Sequence, residues 1–190
     1  MKVAIIDFED SFTFNIYSVL KGLGVEVYVI DYKKVQIDYL SEFSHILLGP
    51  GPGHIEDYHD FFPLIDKLIL DSLSERFKLV GICLGHQLIH HRLGRDVKLL
   101  DDPIHGQSFQ FRFPDSEYLT EELRGKLIDL QFYNSWRVLN QESQLHFDLE
   151  IYGNSNEVIA SFSKNITTYQ FHCESVGTSC QRYLFNQLLV

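Results

Sequence analysis

The stretch Lys78-Leu79-Val80-Gly81-Ile82-Cys83-Leu84-Gly85-His86-Gln87 constrains the fold of this chain more than any other. Leu79, Val80 and Ile82 make a short apolar run, the pattern of a strand buried on both faces of a parallel sheet. Leu84, Leu88, Ile89 and Leu93 then recur at helical spacing, with Gly94 placed as a C-terminal cap. Between the two patterns the chain has to turn from strand to helix within a few residues. Gly81 and Gly85 flank Cys83 two positions before and two after, the spacing of a nucleophile elbow with cysteine where many hydrolases carry serine. A larger side chain at either position crowds so tight a corner. Cys83 is thereby predicted at a helix N-terminus, where unpaired amides and the helix dipole favour thiolate over thiol. A lone cysteine in an apolar run is ordinarily a small buried hydrophobe. Paired glycines and a switch of periodicity are not needed for that, and they favour the corner.

The rest of the chain reads as a sheet built around this corner. Val3 to Ile6 and Val25 to Ile30 are expected strands on either side of a helix carrying Phe12, Ile16, Val19, Leu20 and Leu23. Asp10 or Ser11 is its expected cap, and Gly22 and Gly24 end it, so the unit closes as a right-handed parallel crossover. After a less regular piece from Asp31 to Phe43, His45 to Leu48 is a third strand, followed by Gly49-Pro50-Gly51-Pro52-Gly53. That run continues neither helix nor strand, and it leaves bare backbone at a strand's carboxyl end, where open α/β sheets bind ligands. Gly53 is predicted to offer an amide to an oxyanion. Phe61 to Leu73 has the spacing of a helix covering the sheet. Beyond Gly94 come strand-like pieces at Val97–Leu100, Ser108–Phe113, Leu127–Phe132, Val158–Phe162 and Ile166–Phe171, then a closing helix from Thr178 to Val190. The expected fold is α/β: a mostly parallel, twisted central sheet flanked by helices, with a small, partly antiparallel extension, in one domain spanning 1–190.

Composition narrows the function. A formal net charge of −10 opposes a surface built to neutralise phosphates, so nucleic acid is not an expected partner. No apolar run approaches the roughly 20 residues that span a bilayer, and Met1 to Asp7 reads as a first strand, not a leader. Three cysteines, Cys83, Cys173 and Cys180, match no zinc spacing and suit a reduced, cytoplasmic setting. The nine histidines form no metal-binding grouping, most of them are expected at the surface or behind the site, and no metal or cofactor is expected.

A thiolate that cleaves an amide needs a base and acid for the leaving nitrogen and a group to orient that base. In Thr168-Tyr169-Gln170-Phe171-His172-Cys173-Glu174-Ser175, His172 and Glu174 lie two apart, so on an extended segment they share a side. Glu174 is expected to hold the imidazole and His172 to face Cys83.

Taken together, Gly81 to Gln87, Pro50-Gly51-Pro52-Gly53 and Gln170-Phe171-His172 with Glu174-Ser175 resemble the triad-type, or class I, glutamine amidotransferases. Asp7 to Asn15 is similar to the opening of the glutaminase subunits of anthranilate synthase and aminodeoxychorismate synthase, on the routes to tryptophan and folate. The resemblance implies a flavodoxin-like architecture, with Cys83 as nucleophile, His172 as general base and acid, and Glu174 as the orienting carboxylate. It implies an oxyanion hole from the amides of Gly53 and Leu84, and a glutamine site lined by Gly51, Pro52, Gln87, Ser135 and Trp136. It further implies L-glutamine as substrate and ammonia delivery to a chorismate-using synthase in a hetero-oligomer. This chain shows no phosphate loop, dinucleotide fingerprint or second catalytic cluster for the acceptor chemistry. Three positions depart from the family's pattern: Cys173 replaces a proline, Asn134 a histidine and Gln107 a lysine. A catalytically silent binding protein and a freestanding γ-glutamyl hydrolase are the alternative readings.

Overall fold

The computed structural model describes all of residues 1–190. The expected parallel sheet is present, in strands β1 (Lys2–Asp7), β2 (Glu26–Asp31), β3 (His45–Leu48), β4 (Lys78–Ile82) and β9 (Ile166–Tyr169), ordered β2-β1-β3-β4-β9. Alternate residues of these strands feed opposite cores. Val3, Ile5, Leu47, Val80 and Ile82 face one side, joined there by residues of helices α1 (Thr13–Gly22) and α5 (Gln181–Leu189). Ala4, Ile6, Ile46, Leu48 and Leu79 face the other, against helices α3 (Phe62–Leu73) and α4 (Leu84–Arg92). Burial on both faces is why these strands appear in the sequence as continuous apolar runs.

The antiparallel extension differs in detail from the expectation. The two pieces 97–100 and 108–113 are one bulged strand, β5 (Val97–Arg112), paired with β6 (Leu127–Leu139) and interrupted by register shifts at Leu99/Ile104 and His105/Gln107. Pro103 is tolerated inside β5 because this strand lies at the edge of the sheet, where one side of the ladder is unpaired. Strands β7 (Leu149–Tyr152) and β8 (Glu157–Phe162) complete the extension, in the order β9-β8-β6-β5 with β7 beside β8. β6 pairs with β8 only at Val138 and Leu139. Its earlier half instead holds the segment after β9, through His172 N–H donating to Gln131 O at 2.9 Å and Ser179 N–H to Asp129 O at 2.9 Å. The closing helix begins at Gln181, three residues later than expected, and a short helix α2 (Ile37–Leu40) occupies part of the irregular stretch before β3. Asp10 does not stand at the N-cap of α1. Its carboxylate accepts from Phe12 N–H at 2.7 Å in a turn that precedes the helix.

Two of the histidines lie fully buried in the core. His86 and His90 project from α4 into a polar seam with Thr168, Ser161, Arg95 and Glu150. Arg95 makes a two-pronged ion pair with Glu150, at 2.5 and 2.9 Å. Burial drives the pKa of both histidines well below the ordinary value, and the nearby Arg95 charge adds to this at His90. Below about pH 6.5 the unfolded chain takes up protons at these positions and the folded chain does not, so stability falls as pH falls. Each histidine contributes a slope of roughly 1.4 kcal/mol per pH unit until its folded-state pKa is reached. His172 has the opposite shift and offsets only a small part of this slope, while burial also lowers His45 and His91, which add to the drop. The melting temperature is expected to drop steadily from about pH 6.5 to 5.5, and His90→Gln to flatten the drop. A flat profile in the unaltered protein would contradict the neutral, buried state of this pair.

Candidate active site

Cys83 sits at the corner between β4 and α4 with φ 52° and ψ −104°, a left-handed backbone conformation uncommon for a residue with a side chain. Both glycines are needed for close approach. A Cβ on Gly81 would lie 2.8 Å from the Gly85 carbonyl carbon, and one on Gly85 would lie 2.1 Å from Leu48 O. The proline–glycine run after β3 crosses in front of the corner. A Cβ on Gly51 would meet Leu84 Cδ2 at 2.4 Å, and Tyr58 O–H donates to Pro52 O at 2.8 Å. Gly53 has φ +78°, and a Cβ there would meet Asp57 Oδ2 at 2.4 Å. The N–H groups of Gly53 and Leu84 enter none of the protein's own hydrogen bonds, and both residues line one cavity with Cys83. They are therefore available to an oxyanion formed above the sulfur.

That cavity has a volume of 310 Å³ and is lined by Gly51, Pro52, Gln87, Ser135 and Trp136 together with the corner. All five residues expected to contact glutamine thus border the space in front of Cys83. A larger cavity of 530 Å³ opens between β6 and β8 and shares Asn134 with the first. It contains none of Cys83, His172 and Glu174, so the thiol decides which cavity is the candidate site.

His172 and Glu174 are joined at 2.6 Å through Nδ1 and Oε1, both nearly buried. The reason differs from the one read in the sequence. β9 ends at Tyr169, and His172 to Ser175 form a turn closed by Ser175 N–H donating to His172 O at 3.2 Å. The turn, not an extended segment, folds the carboxylate back onto the ring. Burial alone would lower the His172 pKa. The charge of a Cys83 thiolate, followed by Glu174, reverses this and holds it well above the ordinary histidine range. Nε2 makes no hydrogen bond of ordinary geometry, so the sulfur acts on the ring chiefly through charge. Cys173, where the family pattern has proline, is fully buried, and burial followed by the Glu174 charge pushes its thiol well upward, which disfavours reactive thiolate there.

Several side chains at the site carry no signal in the sequence that would identify them from spacing. Phe12 and Tyr133 pack against the His172 ring with centroid separations of 4.7 and 5.2 Å. His54 packs on Trp136 at 4.0 Å, and Gln170 donates its amide to Cys83 Sγ at 3.8 Å. Phe12 and Gln170 could have been suspected only because each lies within a motif, Asp7 to Asn15 and Gln170 to Ser175.

Known proteins resemble this chain over most of its length. The anthranilate synthase component 2 of Saccharolobus solfataricus is 30% identical over 190 residues, covering 97% of this chain and 96% of that protein. That of Methanothermobacter thermautotrophicus is 27% identical over 199 residues, covering 98% and 97%. A solved structure from Thermoplasma acidophilum, provisionally assigned to GMP synthase, superposes over 100% of this chain and 92% of its own with a TM-score of 0.84 at 21% identity, a likeness of fold. The model of the family described as glutamine amidotransferase class-I matches residues 4–190, so this chain belongs to the class I glutamine amidotransferases.

Proposed function

We propose that this chain is a glutaminase subunit, one domain long, that supplies ammonia to a chorismate-using synthase. The observation that carries the reading is the strained Cys83 corner facing a small cavity, with two unused amides beside it and the His172–Glu174 pair behind it. In the proposed reaction, the Cys83 thiolate adds to the side-chain carbonyl carbon of glutamine. The oxygen becomes an oxyanion held by the amides of Gly53 and Leu84. His172 gives its proton to the departing nitrogen, ammonia leaves, and a thioester remains. The same histidine then takes a proton from water, which attacks the thioester and releases glutamate and the thiol. Gln87, Ser135, Trp136, Gly51 and Pro52 border the substrate.

Ammonia freed into water at neutral pH mostly becomes ammonium, which is no nucleophile, so the chemistry calls for a second subunit. The names of the relatives, anthranilate synthase component 2, support anthranilate formation as that subunit's reaction. Aminodeoxychorismate formation is the related alternative. The test mixes the purified chain with each type of synthase, chorismate and glutamine, and follows glutamate and aromatic amine together. Matched formation of glutamate and anthranilate is expected. Full turnover without any synthase would point to a freestanding hydrolase, and none with either synthase to a silent binding protein.

A further inference from the structure

Three side-chain amides lie in a row behind the thiol, and their orientations are fixed by one backbone carbonyl. Trp136 O can only accept. It receives Asn134 Nδ2 at 2.9 Å and Gln87 Nε2 at 3.1 Å. Gln87 must therefore present its NH₂ on that side, and the same NH₂ donates to Gln170 Oε1 at 3.1 Å. With its oxygen so engaged, Gln170 turns its own NH₂ toward Cys83 Sγ, 3.8 Å away. A reversed Gln170 would set its NH₂ against the NH₂ of Gln87, donor facing donor. That bond would be lost without replacement by solvent, since Gln170 is 1% and Gln87 3% exposed. The chain of amides thus runs from the β6 segment that borders the substrate cavity to the sulfur atom.

We propose that Gln170 is a further catalytic residue of this site: its side-chain NH₂ donates to the Cys83 thiolate, aimed there by Gln87 and the Trp136 carbonyl. The inference rests on Cys83 being the nucleophile. It gives the thiolate a neutral donor in addition to the charge of His172. Because the donor's direction is set by Trp136 O, movement of the Ser135–Trp136 segment alters how well the thiolate is held.

The test reads thiolate formation without glutamine turnover. The rate of iodoacetamide alkylation at Cys83 is followed from pH 5 to 10 in the full chain, and the tryptic peptide from Leu79 to Arg92 reports Cys83 apart from Cys173 and Cys180. In Gln170→Leu the rate at the acid end is expected to fall about tenfold, the scale of one hydrogen bond to a charged group, and to rejoin the wild-type curve at the alkaline end. Gln170→Glu, which keeps the shape but faces the sulfur with a carboxylate, is expected to fall at least as far. Gln87→Leu frees Gln170 to turn and is expected to shift the curve the same way by less. Curves that superpose on wild type, or that are displaced equally at every pH, overturn the proposal. If both Gln170 variants lose their folded circular dichroism, Gln87→Leu decides by the same criterion. An unaltered Cys83 that alkylates like an ordinary free thiol overturns the nucleophile itself, whereas normal reactivity with unshifted variants overturns only the role of Gln170.

Discussion

Replacing Cys83 with alanine is expected to lower glutamate release from glutamine by about 10⁴-fold or more, the scale seen when the nucleophile of a catalytic triad is removed. The oxyanion amides and the cavity survive the substitution, but neither forms a thioester. The fold should be largely untouched, because the lost sulfur is a small group beside an open cavity. Ammonia-driven synthesis by the partner should continue at its normal rate. The comparison separates two roles for this chain. If ammonia use fell in parallel with glutamine use, Cys83 would be serving the assembly and not the amide chemistry. If glutamine use survived, the nucleophile would lie elsewhere.

Gly85→Ala is expected to cause a large loss of stability. The new Cβ would stand 2.1 Å from Leu48 O, 2.7 Å from the Leu48 carbonyl carbon and 2.8 Å from its Cβ. None of these atoms can swing aside. Leu48 belongs to β3, which is hydrogen-bonded between β1 and β4 and fully buried. Helix α4 must retreat instead, and Gly85 N–H then leaves Gly49 O, which it now reaches at 3.1 Å. A cost of about 3 kcal/mol or more follows for overpacking against fixed backbone, or a melting temperature lower by about 6–12 °C in a chain of this size. Glutamine hydrolysis should fall as well, because the retreat carries Cys83 and the Leu84 amide with it. Gly22→Ala is the control: nothing lies within 4 Å of a Cβ there, and the change should be neutral or slightly stabilising. Calorimetry on both variants is decisive, and a Gly85→Ala protein that melts with the wild type would remove the close approach from this account.

The parallel half of the fold was legible because burial on both faces leaves an unmistakable mark, as in Ile46-Leu47-Leu48 and Leu79-Val80. The corner was legible for a related reason, since the steric demand on Gly81 and Gly85 is local. The extension was harder. β5 is mostly exposed and bulged, so its middle section, including Pro103 and Gly106, reads as a loop. β7 is four residues long and half-exposed, too short to establish a period. The separation of His172 and Glu174 suggested their contact, yet the geometry comes from a turn that spacing does not specify. The burial of His86 and His90 was not legible because it depends on their partners, here Thr168, Ser161 and Val158 O, which lie more than seventy positions away. The direction of the Gln170 amide is further still from sequence, being set by a carbonyl on another strand.

The broken outer strand has a consequence for crowding and storage. β5 presents the free rim of a nine-stranded sheet, a place where unpaired amides and carbonyls invite another chain to add itself. Pro103 withholds a donor midway, Asp101 and Asp102 set acids beside it, and two shifts of register bend the rim out of line. A second copy arriving edge to edge meets no continuous row to extend, so runaway fibre growth from this rim is blocked by the same irregularity that concealed the strand.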